Sequence, residues 1–294
     1  MRHSIHAVCV VCNEGERARQ ALIALRAVAD KLTIIQDGQV DETTDQLSRE
    51  YASDVVVYPK KGCKEPHLAL FFAQFRNESR WFLHVDSDEI LSDELKAEIA
   101  TLDLSEPDVY SVELAHTLKD GTSLKYKKGS GRVVKPILFH NEKLRSVIGL
   151  PHGALKLDLP WRKLDAQVIH RAGHLNFSFR QLFEKEKRFA RTDARLRSLP
   201  VKVLGADGLL EIESTSNSFG FTNWLRNSHP LLALPLSATY QFAQSLWWLA
   251  DVRSMKTLVS ELQMLPIRPF YQAYLCYLIW QMRNIQTNGA AESG

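Results

Sequence analysis

Apolar and polar positions alternate in blocks along the N-terminal part of the chain. The short apolar runs IHAVCVVC, KLTIIQDG, SDVVVYP and RWFLHVD have the length and composition of β-strands. Apolar residues recur at helical spacing in the segments GERARQALIALRAVA, DETTDQLSREYA, PHLALFFAQF and SDELKAEIATL. Asp41 or Thr43 is expected to cap the second helix, and Ser92 the last.

Strands that alternate with helices predict an α/β protein with a mostly parallel, doubly wound central sheet covered on both faces. In such sheets ligands bind beyond the carboxyl ends of the strands. Asn13-Glu14, Asp37-Gly38 and Asp86-Ser87-Asp88 each follow a predicted strand. We therefore expect these three polar clusters to converge on one edge of the sheet.

The acidic side chains of Asp86, Asp88 and Glu89 follow directly after the apolar run Phe82-Leu83-His84-Val85. Carboxylates at such a place repel one another and lose water, so a positive partner is expected. A divalent metal, a phosphate-metal pair or helix N–H groups would each serve, and two aspartates one residue apart can hold a hard cation jointly with substrate oxygens. The alternative is that both aspartates cap the next helix, for which Ser92 already provides a cap.

Composition and charge narrow the class of protein. The chain has 294 residues, of which 45% are hydrophobic and 24% charged, as in soluble globular proteins. A net charge of +3 does not by itself indicate nucleic-acid binding. The opening MRHSIHAVCVVCNEGE turns polar after one strand length, so no signal peptide is predicted and a cytoplasmic location is expected.

The cysteines do not form a metal or disulfide framework. Cys9 and Cys12 lie in a strand-like run, where a separation of three places them on opposite faces. Cys63 and Cys276 stand alone. We predict buried free thiols.

Three motifs together resemble the family 2 glycosyltransferases of GT-A fold, and within them the lipopolysaccharide-core β-glucosyltransferase-like branch. Asn13-Glu14 matches the family's Asn-Glu after the first strand. The segment from Asp37 to Thr43 matches its Asp-Gly-Ser-x-Asp-x-Thr turn, with Gln39 in place of serine. Asp86-Ser87-Asp88-Glu89 matches its Asp-x-Asp metal motif. The match covers about residues 4 to 100 and loosens toward residue 180.

The resemblance implies a nucleotide diphosphate sugar as donor, with a UDP-sugar expected, and Mn²⁺ or Mg²⁺ as the metal. Asp88 would hold the ion against the diphosphate, as a Lewis acid for its departure. Asp86 would face the ribose or the metal's water shell, or ligate the metal itself. Asp37 would accept a hydrogen bond from the base, and the turn at Asn13-Glu14 would line the base pocket.

An inverting displacement also needs a general base to deprotonate the acceptor. Relatives carry a His-Glu pair where this chain has Pro151-His152-Gly153, so the glutamate is absent. His152 is the candidate base, and Asp158 and Glu113 are weaker candidates. A packed or hydrogen-bonded His152 is the alternative.

The segment AQVIHRAGHLNFSFRQLFEKEKRFAR resembles the family's strand ending in histidine, followed by a basic helix. A C-terminal histidine often completes the metal site of these enzymes, which suits His170 first and His174 second. Imidazole as a ligand favours Mn²⁺ over Mg²⁺. Both histidines lying outside the metal's ligand shell is the alternative. The basic helix is expected to be a solvated face, or to bind anionic lipid or an acceptor phosphate.

The last part of the chain is apolar and aromatic. Two segments are candidates for membrane spans. Prolines and polar residues argue against the first, HPLLALPLSATYQFAQSLWWLADVR, and the second, PFYQAYLCYLIWQMRN, is too short. Helices lying in the membrane interface, with Trp247, Trp248 and Trp280 at head-group depth, are one interpretation. A helical cap packed on the protein or a second subunit is the other.

The prediction is a metal-dependent inverting hexosyltransferase that acts on a saccharide or lipid-linked saccharide of a bacterial surface glycan. It would be cytoplasmic and peripheral on the inner membrane, without nucleic-acid partners. Residues 1–110 would form the nucleotide-sugar-binding half, 111–225 the acceptor-side half and 226–294 a helical, membrane-associating region. The alternatives are a non-catalytic sugar-nucleotide-binding scaffold and an aspartyl-phosphate phosphatase. The phosphatase is disfavoured because Ile90 stands where Thr or Val is needed, and a calcium loop is excluded because Leu91 replaces the required glycine.

Overall fold

The computed structural model describes residues 3–117, 134–151, 153–171, 178–198, 210–211, 225–226, 228–250, 252 and 254–291. The strands of these residues are β1 (Ile5–Val11), β2 (Lys31–Asp37), β3 (Asp54–Tyr58), β4 (Trp81–His84), β5 (Glu89–Leu91), β6 (Val109–His116), β7 (Val134–His140), β8 (Leu144–Ile148), β9 (Leu155–Leu157), β10 (Arg162–His170) and β11 (Leu210–Glu211). The helices are α1 (Arg19–Val28), α2 (Glu42–Tyr51), α3 (Glu65–Ala73), α4 (Asp93–Ala100), α5 (Phe179–Ser198), α6 (Pro230–Leu249), α7 (Met255–Met264) and α8 (Ile267–Ala291).

An eight-stranded sheet of order β3-β2-β1-β4-β7-β6-β10-β5 forms the centre of the molecule. The strands β1 to β4 pair in parallel, and β6 pairs in parallel with β10. Because β7 is antiparallel to both β4 and β6, the strands β6 and β10 point the same way as β4. The carboxyl ends of β1, β2, β4, β6 and β10 therefore lie on one edge of the sheet.

Both faces of this sheet are covered. On one face, α1, α2 and α4 pack through apolar side chains such as Leu25, Leu47 and Leu95. On the other, α3 packs through Phe71 and Phe72, next to a smaller sheet of order β11-β8-β9. The central strand β1 is buried along its whole length, as expected when neither face meets water. The predicted α/β class with a mostly parallel, doubly covered sheet is confirmed.

The helix ends follow the sequence signals with one exception. Asp41 caps α2 by accepting from Thr44 N at 2.9 Å, and Ser92 caps α4 by accepting from Leu95 N at 3.2 Å. Each such cap contributes about 1 kcal/mol. The helix predicted from Gly15 begins only at Arg19, after a 3₁₀ turn over Gly15–Arg17. Gly15 has φ +52°, a left-handed conformation that the α-helix does not use, so the prediction of its start was wrong.

The predicted helical C-terminal region is confirmed over the described residues. Helix α8 packs on α5, where Ala190 and Ala194 contact Leu275 and Ile279, and it also packs along α6. No helix in the described part of the chain has the length and apolar character needed to cross a membrane. The main sheet continues past residue 110 because β6 and β10 belong to it, and the division of the chain into halves stays a prediction.

Candidate active site

The acidic turn after β4 is held by one backbone hydrogen bond and one side-chain hydrogen bond between Asp86 and Glu89. Glu89 N donates to Asp86 O at 3.0 Å, and Asp86 N donates to the Glu89 carboxylate at 2.8 Å. The backbone N–H groups of Asp86 and Glu89 thus both have hydrogen-bond acceptors within the turn. This contact fixes the positions of Asp86 and Asp88 relative to the end of the strand.

Two lysines supply the positive charge that the acidic turn requires. Lys64, the residue just before α3, forms an ion pair with Asp86, and Lys135 of β7 lies 3.3 Å from Asp86 and 2.5 Å from Glu89. Burial alone would raise the pKa of Asp86, but Lys135 and Lys64 hold it well below its usual range. Asp86 is therefore anionic and neutralised from within the protein.

His84 faces the other oxygen of Asp86 without bonding to it. Its Nδ1 donates to Val8 O at 3.2 Å, and its Nε2 lies 3.6 Å from Asp86 Oδ1. Burial lowers the pKa of His84 to about 3, so the ring is neutral and carries no proton on Nε2. This explains why Asp86 Oδ1, although buried, has no hydrogen-bond partner among the described residues.

Asp88 faces a histidine rather than a lysine. Asp88 Oδ2 lies 3.5 Å from Nε2 of His170, the last residue of β10, and both side chains are partly exposed. Burial would raise the pKa of Asp88, but His170 lowers it below the ordinary value. The His170 ring also contacts His116 at the end of β6, with 3.0 Å between the two Nδ1 atoms.

This arrangement fits a divalent cation shared with a substrate. The described residues contain no group of three or more His, Cys, Asp or Glu side chains that would ligate a metal by themselves. Asp88 and His170 offer two ligand atoms, and a span of 3.5 Å suits an ion with bonds of about 2.1 Å to each. The other positions of the ion would then be filled by oxygens from outside the protein.

The turn after β1 lies at the same edge. Asn13 has φ +57°, a conformation that Asn tolerates better than most residues, and its side chain accepts from Asp41 N at 2.7 Å. Glu14 accepts from Cys12 N, and burial raises the pKa of Glu14, with a smaller contribution from Asp88. Glu14 and Asp88 are thus close enough to interact, as the expected convergence of the clusters requires.

Asp37 is buried at the end of β2 and has protein partners for both oxygens. Its carboxylate accepts from Lys61 N at 2.6 Å and Gly62 N at 2.9 Å, and His67 Nε2 lies 2.7 Å away. Burial would raise the pKa of Asp37, but His67 and the Lys61 N–H lower it below its ordinary value. Asp37 therefore shapes the turn at 61–62, and base recognition by Asp37 stays a prediction.

Glu65 is a buried acid that the sequence did not single out. Its Oε2 has no hydrogen-bond partner among the described residues, and burial raises its pKa to about 7, opposed by Lys64. It stands beside Lys64 at the start of α3, and Lys64 forms the ion pair with Asp86 of the acidic turn. Glu65 therefore holds a proton at neutral pH more readily than the aspartates of the site.

The candidate general bases have different surroundings. His152 lies outside the described residues, and so does His174. Asp158 is bound to Arg145 by two contacts of 2.7 Å, and Glu113 is paired with Lys163 at 2.5 Å. Both carboxylates are thus engaged by basic side chains, and His152 stays the predicted base.

The structure also identifies site residues that the sequence reasoning missed. They are Lys64, Lys135, His67, Glu65 and His116. Of these residues, only Lys64, Glu65 and His67 could have been expected at the site from the sequence, because they lie at the start of a helix that follows a predicted strand. All four thiols are free, and the prediction that they are buried is confirmed for Cys9 and Cys276 but wrong for Cys12 and Cys63, which are partly exposed. Cys12 follows the last residue of β1 rather than lying within the strand.

Comparison with known proteins finds similarity only to solved structures. No protein-family model and no curated protein matches the sequence. Among matching solved structures, TarS 1–349 of S. aureus is 14% identical, with a TM-score of 0.40 over 96% of this chain and 91% of that one. A 4-diphosphocytidyl-2C-methyl-D-erythritol synthase is 12% identical, with a TM-score of 0.32 over 49% of this chain and 78% of that one. Neither likeness relates a residue of this chain to a function.

Proposed function

We propose that the protein is a metal-dependent, inverting glycosyltransferase similar to the lipopolysaccharide-core branch of family 2. It would move a hexose from a nucleotide diphosphate sugar, with a UDP-sugar expected, to a saccharide hydroxyl of a bacterial surface glycan. The observation that supports this proposal is the placement of Asp88 and His170, 3.5 Å apart, at the carboxyl edge of the sheet. Ligands bind at that edge in sheets of this kind.

Asp88 and His170 would hold Mn²⁺ or Mg²⁺, and the imidazole favours Mn²⁺. When bound, the ion would act as a Lewis acid for the departing diphosphate. Asp86 belongs to the predicted ligand set as well, and its pairing with Lys64 and Lys135 suits the ribose-facing or water-shell role better than direct ligation. The lysines would keep Asp86 anionic and the turn in place while the donor is bound.

Donor recognition would fall to the ends of β1 and β2. Asn13 and Glu14 would line the base pocket, in a turn where Asn13 has a left-handed backbone conformation. Asp37 would contribute through the turn it organises at Lys61 and Gly62. His152 would deprotonate the acceptor hydroxyl.

A second candidate is a sugar-nucleotide-binding scaffold without turnover. It is favoured by the missing glutamate next to His152 and by the ion pairs that occupy Asp158 and Glu113. Such a protein would bind the donor at the same edge but would not transfer the sugar.

Association with a membrane surface is the remaining part of the proposal. Helix α6 carries no charged residue, and one of its sides exposes Leu232, Leu236, Tyr240 and Trp247, the last at 76% exposure. Apolar and aromatic side chains of this kind bind the lipid interface. The protein would then act from the cytoplasmic side of the inner membrane.

A panel of nucleotide sugars tests the proposal. The purified protein is incubated with each donor, with Mn²⁺ and separately with a chelator, and release of the nucleoside diphosphate is measured with and without a saccharide acceptor. Metal-dependent release from one donor class is expected. Donor binding without any release would favour the scaffold, and neither binding nor release would contradict both candidates.

A further inference from the structure

We infer that His116 is a positioning residue for the metal site, because its Nδ1 accepts the Nδ1 proton of His170 and so directs the Nε2 lone pair of His170 to the ion. The inference rests on the proposed function, since it assumes that His170 is a ligand. It adds a role for His116, which none of the sequence motifs includes.

The contact is built into the sheet. His116 and His170 are the last residues of the parallel strands β6 and β10, and they are direct partners in the register of this strand pair. Their Nδ1 atoms lie 3.0 Å apart, and their ring centroids 5.0 Å apart at an interplanar angle of 59°. A distance of this kind between two nitrogens is a hydrogen bond only if one of them carries the proton.

The identity of the donor follows from the other side of His170. A metal ligand must present a bare nitrogen, so Nε2 of His170 must lack a proton when the ion is bound. The single proton of neutral His170 then lies on Nδ1 and is donated to His116. His116 must therefore accept at Nδ1 and carry its own proton on Nε2.

Backbone hydrogen bonds hold the three segments of this array in register. Arg171 N donates to Asp88 O at 3.0 Å, and Thr117 N donates to His170 O at 2.9 Å. In addition, β5 pairs with β10 so that Glu89 lies opposite His170. Asp88, His170 and His116 are thus connected by strand pairing, which lets one imidazole orient the other without a large entropic cost.

Two substitutions of His116 distinguish the effect of losing the hydrogen bond from the effect of changing the ring. His116→Phe keeps a flat ring and removes the acceptor, whereas His116→Asn keeps an acceptor oxygen near the place of Nδ1. His3→Phe, in an exposed residue at the opposite end of β1, is the matched control for introducing a phenyl ring. Circular dichroism and thermal unfolding verify that each variant is folded.

Binding of Mn²⁺ in the presence of uridine diphosphate is measured from the electron paramagnetic resonance of the free ion. His116→Phe should bind Mn²⁺ about 10–100-fold more weakly than wild type. His116→Asn and His3→Phe should stay within a few-fold of wild type. Equal affinities for wild type and His116→Phe would overturn the inference while leaving the metal site intact.

Failure of the proposed function gives a different result. If wild type binds no Mn²⁺ under these conditions, or if His170→Ala binds it unchanged, the metal site and the inference fall together. Nitrogen-15 correlation spectra of the wild type loaded with diamagnetic Mg²⁺ and uridine diphosphate provide a second readout, the tautomers of the two rings. Protonated Nδ1 on His170 and bare Nδ1 on His116 are expected, and the reverse pattern would overturn the inference.

Discussion

Asp86 and Asp88 are separated by one residue but have different partners, since Asp86 is paired with Lys64 and Lys135 whereas Asp88 faces His170. A motif of two acids thus divides into one carboxylate neutralised by lysines of the protein and one that faces a histidine and would hold the cation under the proposed function. Substitutions at the two positions should have distinct effects.

Asp88→Asn should remove most activity and weaken Mn²⁺-dependent donor binding with little change in stability. Loss of charge stabilisation of this kind costs several kcal/mol of transition-state free energy, on the order of 3 kcal/mol or more. Steady-state kinetics and metal titration measure the effect. A folded Asp88→Asn variant with wild-type turnover and nucleotide affinity would contradict the assignment.

Asp86→Asn should lower the free energy of unfolding. Breaking a fully buried ion pair costs about 3–5 kcal/mol, and the loss here should be smaller because the side chain of Asp86 is 23% exposed. The cause is that Lys64 and Lys135 would lose their shared counter-charge. Urea unfolding measures it, and Asp93→Asn in the exposed first turn of α4 is the control. Equal stability of both variants would show that the lysines find other partners.

Asp37→Ala should raise the donor KM more than it lowers kcat, because the turn at Lys61 and Gly62 loses its acceptor and, under the proposed function, this turn lies beside the nucleotide. The substitution also leaves Lys61 N and Gly62 N without their acceptor, at a cost of about 1–3 kcal/mol each if neither meets water. Kinetics with uridine and guanosine donors check the first effect. Equal use of both donors by wild type would argue against any role of this region in reading the base.

Glu65→Gln should change how stability depends on pH. Burial raises the pKa of Glu65 to about 7, so the fold favours its protonated form. This contribution is fully present below the ordinary pKa of about 4.5 and is lost as the pH rises through about 7. Glutamine stays neutral, so the variant should gain on the order of 2 kcal/mol over wild type between about pH 5 and pH 8.

Urea unfolding of both proteins at the two pH values tests the Glu65 prediction. The comparison is between variant and wild type, which cancels the titration of His84 and other groups common to both. A difference in stability that does not vary with pH would mean that Glu65 is ionised in the fold.

Binding to anionic liposomes should depend on the exposed apolar side of α6, and it should weaken with salt because the Lys and Arg side chains of α5 would supply the attraction to anionic lipid. A Leu236→Ser, Trp247→Ser double variant should lose binding yet keep its fold, since both side chains are exposed by 60% and 76%. Thr239→Ser, at an exposed polar position of the same helix, is the control. Vesicle sedimentation measures the effect, and no binding of wild type at low salt would favour contact with a second subunit.

Much of the fold was predictable because the signals were local. Each of the first four strands is a short apolar run, and Asp41 and Ser92 are N-cap residues that mark the starts of α2 and α4. Local patterns of this kind need no knowledge of distant parts of the chain. The family resemblance, rather than a local pattern, placed His170 at a strand end, which is where it lies.

The partners of the acids were not predictable, because they come from distant segments. Lys135 reaches Asp86 only since β7 enters the sheet next to β4 in the opposite direction, and His116 meets His170 only through the register of β6 and β10. No apolar period or cap in the sequence specifies either pairing. The sequence showed that the acidic turn needed positive charge, but not which residues supply it.

The strand order has a consequence for folding kinetics. The pairings of β1 with β2 and of β2 with β3 join neighbours in sequence through single helices, whereas the pairings of β1 with β4 and of β10 with β5 and β6 close long loops. Loop closure of this kind slows the formation of non-local contacts. During refolding, amide protons of β1 and β2 should become protected before those of β10, so the ends that carry Asp88 and His170 would meet only in the last stage of assembly.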